Sequence, residues 1–161
     1  MKIIDNFLPK EEFLKIKNYL MGPYFEWYYN PFVDYTDQLF DIFDLDNYQF
    51  IHNFTESDII LIPLLKKLNI KEVIRIKSNL SPRTEKIIKR KFHIDVDVEN
   101  TQTSIFYINT NDGWTEFEDG TKVESIENRL VTFDSNLRHR GTSCTNSKIR
   151  VVINLNYKEG V

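Results

Sequence analysis

Three histidines occur in the chain, at positions 52, 93 and 139, and two of them stand in suggestive company. His93 and Asp95 sit at i and i+2 within Phe92-His93-Ile94-Asp95-Val96-Asp97. On a strand, side chains at that spacing leave the same face, so an imidazole and a carboxylate there can ligate one ion. His139 follows 44 residues after Asp95 and would supply a third ligand. Two neutral nitrogens and one carboxylate on one face of an octahedron suit a divalent transition metal such as Fe(II) and leave three positions open. Taken alone, a His-x-Asp triplet is short and common, and a simple histidine–carboxylate hydrogen bond is its more frequent origin. Asp97, two residues beyond Asp95, could compete for the same role.

Eleven residues past His139 comes Arg150, inside Lys148-Ile149-Arg150-Val151-Val152-Ile153-Asn154. A guanidinium among β-branched apolar residues on a core strand needs a partner, because a buried cation without one is costly. A dicarboxylate ligand would provide it through two parallel N–H···O bonds. A protein acid, or an escape of the head group to the surface, would serve as well. Asn154, four residues on, lies on the same strand face.

The elements that must position these residues divide into a front and a back. Residues 9–21 read as an amphipathic helix, with Pro9 in the first turn, Glu11 and Glu12 at the positive end of the dipole, and Phe13, Ile16, Tyr19 and Leu20 as its stripe. Residues 57–69 read as a second helix. Between them, 24–54 is dense in Phe, Tyr and Trp without a clean period and reads as short strands or irregular chain. From Glu72 onward the pattern is strand-like, with candidates at 72–80, 92–97, 103–109, 114–118, 121–125, 129–133 and 148–157. Asp119-Gly120 predicts a type I′ hairpin. Seven short strands behind a helical front predict a mainly β architecture, a sandwich or jelly roll with helical support.

Composition narrows the function classes. The chain has 161 residues, 21 basic and 24 acidic side chains, a net charge of −3 and one cysteine, Cys144. That balance argues against a protein held to nucleic acid by charge, and one cysteine excludes an internal disulfide or a multi-cysteine metal site. No apolar run approaches a membrane span and the N-terminus does not read as a signal peptide, so a cytoplasmic protein is expected. Cys144 reads as a small buried hydrophobe and His52 as a structural histidine. The run Arg83–Lys91 holds five basic residues and one acidic, with only Ile87 and Ile88 as apolar anchors. With so little to hold it, residues 81–92 are expected to form a mobile cover ahead of His93.

His93-x-Asp95, then Ser104-Ile105-Phe106-Tyr107-Ile108-Asn109, His139 and Arg150 together resemble the Fe(II)- and 2-oxoglutarate-dependent oxygenases, nearest to the prolyl 4-hydroxylase-like branch. The opening Ile4-Asp5-Asn6-Phe7-Leu8 before a helix is similar to that branch too. The resemblance implies a single domain over 1–161, with a helical, aromatic front at about 1–70 and a double-stranded β-helix (jelly-roll) core at about 71–158. It implies Fe(II), 2-oxoglutarate and dioxygen as reaction partners. The metal ligands would be His93, Asp95 and His139. Arg150 would anchor the distal carboxylate of the cosubstrate, and Tyr107, Asn154 and Asn79 would line its pocket. Ser81 stands where many relatives have a tyrosine, so a phenol contact is not expected there. The implied reaction is a C–H hydroxylation that releases succinate and CO2, with a peptidyl proline as the first substrate guess and a peptide or protein favoured over a nucleotide. Two other classes compete: a nucleic-acid base oxygenase using the basic run, and a non-catalytic jelly-roll binding module.

Overall fold

Alternation along the last strand organises the molecule. In the computed structural model, which describes residues 1–33, 45–46 and 48–160, β10 (Ile149–Glu159) sends Val151, Ile153, Leu155 and Tyr157 to one side and Arg150, Val152 and Asn154 to the other. Earlier in the chain come β1 (Lys2–Ile4), α1 (Lys10–Leu20), β2 (Tyr28–Asn30), β3 (Gln49–Phe54), α2 (Ile62–Lys67), β4 (Ile70–Pro82), β5 (Gln102–Tyr107), β6 (Trp114–Phe117), β7 (Lys122–Glu124), β8 (Leu130–Asp134) and β9 (His139–Gly141). Seven of these strands form an antiparallel sheet in the order β1-β8-β5-β10-β4-β3-β2, and three form a smaller one, β7-β6-β9. The large sheet is buried on both faces. Phe13, Ile16 and Leu20 of α1 pack with Phe106, Leu130, Val151 and Ile153 on one side. Ile105, Val131, Phe133 and Val152 meet Phe117 and Val123 of the small sheet on the other. This is the mainly β jelly roll with supporting helices that the sequence predicts. No helix among the described residues is long and apolar enough to cross a membrane.

Several expected boundaries shift for local reasons. The second helix is shorter than 57–69: a 3-10 turn over Ile59–Leu61 precedes α2, and Thr55 to Asp58 form a separate turn in which the Thr55 amide donates to the Asp58 carboxylate. In the aromatic stretch 24–54, β2 and β3 extend the large sheet, so the front is only partly helical. Positions 34–44 and 47 of that stretch, like 161, lie outside the described residues. The Asp119-Gly120 hairpin is real but not type I′. Only Gly120 has positive φ (88°), and Phe117 N–H donates to Thr121 O, which leaves a three-residue loop with glycine in the left-handed position. The predicted strand 92–97 is absent. That segment makes one isolated bridge, His93 to His139, and then bends at Asp95. Its partner β9 is three residues long and forms its ladder with β6 on the other side.

The basic run also departs from expectation. Arg83 and Thr84 donate their amides to Lys148 O and Cys144 O, Arg90 to Gly141 O, and Ile88 to Ser143 Oγ, each at 2.8–3.0 Å. The Arg90 guanidinium is buried and donates to the carbonyls of Asp46 and Tyr48. Lys89 pairs with Glu116 at 3.5 Å. Residues 83–91 are therefore fastened to the 141–148 segment by backbone bonds. The expectation of a loosely held cover missed this because its anchors are main-chain atoms, which side-chain composition does not reveal.

Candidate functional site

The bridge between His93 and His139 builds the centre of the site. Each residue's amide donates to the other's carbonyl, at 2.9 and 3.0 Å, so the two side chains stand directly opposite with ring centroids 4.9 Å apart. The bend after His93 swings Asp95 back toward them. Its Oδ1 lies 3.6 Å from His93 Nε2 and its Oδ2 3.9 Å from His139 Nε2. One ligand atom from each of the three lies within 4.8 Å of the others. Each histidine Nδ1 is 3.1 Å from a backbone carbonyl, Lys91 O and Leu137 O respectively. A carbonyl can only accept, so Nδ1 carries the proton and the Nε2 lone pair faces the centre, as metal-ligating imidazoles require. Burial pushes the His139 imidazolium below its ordinary range, although Asp95 opposes this, and so favours the neutral ligand form. Burial alone would raise the Asp95 carboxyl, but the His93 hydrogen bond and the charges of His139 and Arg75 hold it well below the usual carboxylate range. Asp97 is exposed and outside the cluster.

Asp95 is held from behind. Arg75 Nη2 lies 3.2 Å from Oδ1, an ion pair without hydrogen-bond alignment. Asn156 Nδ2 donates to Oδ2 at 3.3 Å and to Thr103 Oγ1 at 2.9 Å, while its Oδ1 accepts from Arg75 Nε at 2.9 Å. A cavity of about 620 Å³, mouth included, opens beside these ligands and runs along the inner faces of β4 and β10. Lys77, Asn79, Ser81, Val152, Asn154 and Arg150 are on its wall. Register fixes their order: Asn154 faces Lys77, Val152 faces Asn79 and Arg150 faces Ser81 across the β4–β10 pair. The amide oxygens of Asn79 and Asn154 are buried there without a hydrogen-bond partner among the described residues. Burial, with the Arg75 charge, pushes the Lys77 ammonium below its ordinary range, and Asp95 opposes the shift.

Arg150 is 6% exposed. Its Nε donates to Ser125 Oγ at 2.9 Å, Nη2 lies 3.5 Å from Thr115 Oγ1, and the head group rests 5.8 Å from the Tyr107 ring centroid. No carboxylate among the described residues is within ion-pair distance of it. Gly113 makes room for its stem: a Cβ there would come within 2.8 Å of Arg150 Cδ and 2.6 Å of Ser143 O. Tyr107 needs a correction. It is fully buried, its hydroxyl donates to Thr115 Oγ1 at 2.7 Å, and it is not part of the cavity wall. It supports Thr115 and Arg150 from behind instead of facing a ligand, because the small sheet closes over it. His52 Nδ1 meets Glu26 O at 2.8 Å within an aromatic cluster, away from His93, Asp95 and His139. Cys144 is buried, as expected of a small hydrophobe.

Sequence reasoning missed Arg75, Lys77, Thr115, Ser125 and Asn156. A signal existed for the first two: Ile74-Arg75-Ile76-Lys77 alternates apolar and basic residues. On a sheet with one wet face that pattern means solvent, and only the second sheet turns the polar face inward.

The sequence matches no family model and no curated protein sequence. Solved structures share the fold over nearly the whole chain. A prolyl-4-hydroxylase from Pseudomonas putida is 13% identical, with a TM-score of 0.61, covering 99% of this chain and 92% of that one. A prolyl hydroxylase from Trichoplax adhaerens, solved with a hypoxia-inducible-factor oxygen degradation domain peptide, is 16% identical, with a TM-score of 0.65 and coverages of 98% and 83%. SnoN, a non-haem α-ketoglutarate-dependent epimerase from nogalamycin biosynthesis, is 8% identical, with a TM-score of 0.68 and coverages of 98% and 77%.

Proposed function

We propose, from a fold shared with prolyl hydroxylases and a 2-oxoglutarate-dependent epimerase, that this chain is an Fe(II)- and 2-oxoglutarate-dependent dioxygenase that hydroxylates a C–H bond of its substrate. The observation that carries the reading is one cavity lined both by a two-histidine, one-carboxylate set, from the His93 segment and β9, and by a buried arginine of β10 with no acid partner among the described residues. The donor set fits Fe(II). Arg150 fits the distal carboxylate of 2-oxoglutarate, and the unpartnered amides of Asn79 and Asn154 remain for other polar atoms of a ligand.

When bound, iron and 2-oxoglutarate would supply the activation of dioxygen, with succinate and CO2 as coproducts. The chain's own residues do the rest. His93, Asp95 and His139 would hold the metal, each through one ligand atom. Arg150, aligned by Ser125 and Thr115, orients the cosubstrate along the β4–β10 groove. Phe117 and Phe133, packed 6.1 and 4.8 Å from the His139 ring, exclude water from the ligand's far side.

A peptide, with a prolyl residue as the first to test, is favoured over nucleic acid as primary substrate, in a cytoplasmic setting. Two of the five basic side chains in the run that would have met phosphate are engaged within the fold, Lys89 with Glu116 and Arg90 with backbone carbonyls. The T. adhaerens neighbour bound a peptide. The test is to load the protein anaerobically with Fe(II) and 2-oxoglutarate, record the visible charge-transfer band, then admit oxygen with peptide and nucleotide libraries and search for products 16 Da heavier. Neither a band nor succinate would leave the non-catalytic binding module as the better reading.

A further inference from the structure

We propose that Arg75 and Lys77 set the metal affinity of this site, keeping divalent-cation binding weak until a carboxylate ligand enters with the metal. The inference rests on the metal-binding reading above. Asp95 is the one carboxylate among the described residues that line the cavity. In metal-free protein its charge is already matched by Arg75, 3.2 Å away. That arginine is not a wandering surface cation, because Asn156 accepts from its Nε and donates to Asp95, tying the two together. Two residues along β4, on the same face, Lys77 adds a second positive charge to the cavity wall. Among the described residues it has no ion-pair partner.

A divalent ion entering alone meets two neutral imidazoles and one carboxylate that is already paired. Arg75 and Lys77 then oppose it across short distances in a partly water-excluded space, where such repulsion is strong. An incoming 2-oxoglutarate reverses the balance, since its two negative charges offset what Asp95 alone does not. Metal and cosubstrate should therefore tighten each other's binding by equal factors, beyond what their direct contact gives.

The probe is Mn(II), titrated alone and with saturating 2-oxoglutarate, with free metal read from its paramagnetic resonance signal. Arg75→Met and Lys77→Met keep side-chain length and remove charge, and each should tighten Mn(II) binding alone by roughly tenfold or more. The factor by which 2-oxoglutarate tightens Mn(II) should shrink by at least as much. Arg75→Lys retains the charge and should stay near the parent. A weaker Mn(II) affinity in both arginine variants would mean that Arg75 merely holds Asp95 in place, and would overturn the proposal. Unchanged affinity in the Met variants, with circular dichroism showing a native fold, overturns it too while leaving the metal site intact. If the parent and His139→Ala fail equally to bind Mn(II) under every condition, the underlying metal reading falls and this inference with it.

Discussion

Replacing Arg150 by methionine should make the ligand-free protein more stable and the liganded one less so. The guanidinium is buried, with one good hydrogen bond to Ser125, a long one to Thr115 and a distant ring face as its only compensation. Hydrogen bonds from a charged donor contribute about 1.5–3 kcal/mol when well aligned, and less at 3.5 Å, whereas desolvating an ion costs several kcal/mol. Burial accordingly pushes the Arg150 guanidinium below its ordinary range, with Tyr107 opposing. Methionine fills similar length without a charge, so a gain of about 1–2 kcal/mol is expected, or roughly 2–8 °C in Tm for a chain of this size. The same change removes a charge-assisted pair to the distal carboxylate, which weakens 2-oxoglutarate by about 2–4 kcal/mol, roughly 30- to 1,000-fold. Parent protein with Mn(II) and ligand at 100 times its Kd gains about 2.7 kcal/mol, while a variant bound 100-fold more weakly gains only about 0.4 kcal/mol. The order of melting should therefore invert between ligand-free and ligand-saturated samples. Differential scanning calorimetry with isothermal titration checks both halves. A variant that melts lower without ligand yet binds 2-oxoglutarate as tightly as the parent would show Arg150 to be a structural residue and refute the clamp.

Gly113→Ala should act on the same arginine indirectly: with its Cβ at 2.6–2.8 Å from Ser143 O and Arg150 Cδ, it should destabilise by about 1–3 kcal/mol and weaken 2-oxoglutarate by titration. An unchanged affinity would show that the stem has room to move. The lowered His139 pKa predicts a pH slope in metal-free protein. Stability from keeping this imidazole neutral is complete above the ordinary value of about 6.5 and is lost as pH falls toward the lower folded value, so Tm should drop between pH 7 and 5, and His139→Asn should flatten that drop. The contribution of Asp95 is fully present across that window and is lost only at lower pH, as pH falls below the ordinary carboxylate range toward its lowered folded value. The amides of Arg83, Thr84, Ile88 and Arg90 should exchange slowly without any ligand, because each has a bonded partner. Fast exchange across all four would restore the picture of a loose cover.

Much of the architecture was legible because it rests on local rules. Apolar alternation marked β5, β8 and β10, the Phe13–Leu20 stripe marked α1, and the arginine between Ile149 and Val151 stands on the wall of the cavity. His93 and Asp95 stood out by residue type and spacing. What the sequence could not supply was the side of the sheet on which a polar residue finds water. Arg75 and Lys77 carry the pattern of a solvent-facing strand, yet Lys77 shares a cavity wall with Thr115, His139 and Gly141 of the small sheet and Arg75 pairs with Asp95, both partners coming from distant segments. Strand alternation was the wrong reason for bringing His93 and Asp95 together. A single bridge to His139 and a bend do it instead, and a bridge is a property of two chain segments, not of either one. Tyr107 was misplaced for the same cause: its strand position was right, but whether a ring at that position meets ligand or core depends on what the other sheet lays over it. The sequence by itself determined the long strands β4, β5, β8 and β10 and which residue types could carry chemistry, since propensity and periodicity are local. The pairing of β9 with the His93 segment, the closure over β4 and the counter-charge behind Asp95 were decided only by tertiary structure, because each depends on long-range contacts that bring distant segments to one face.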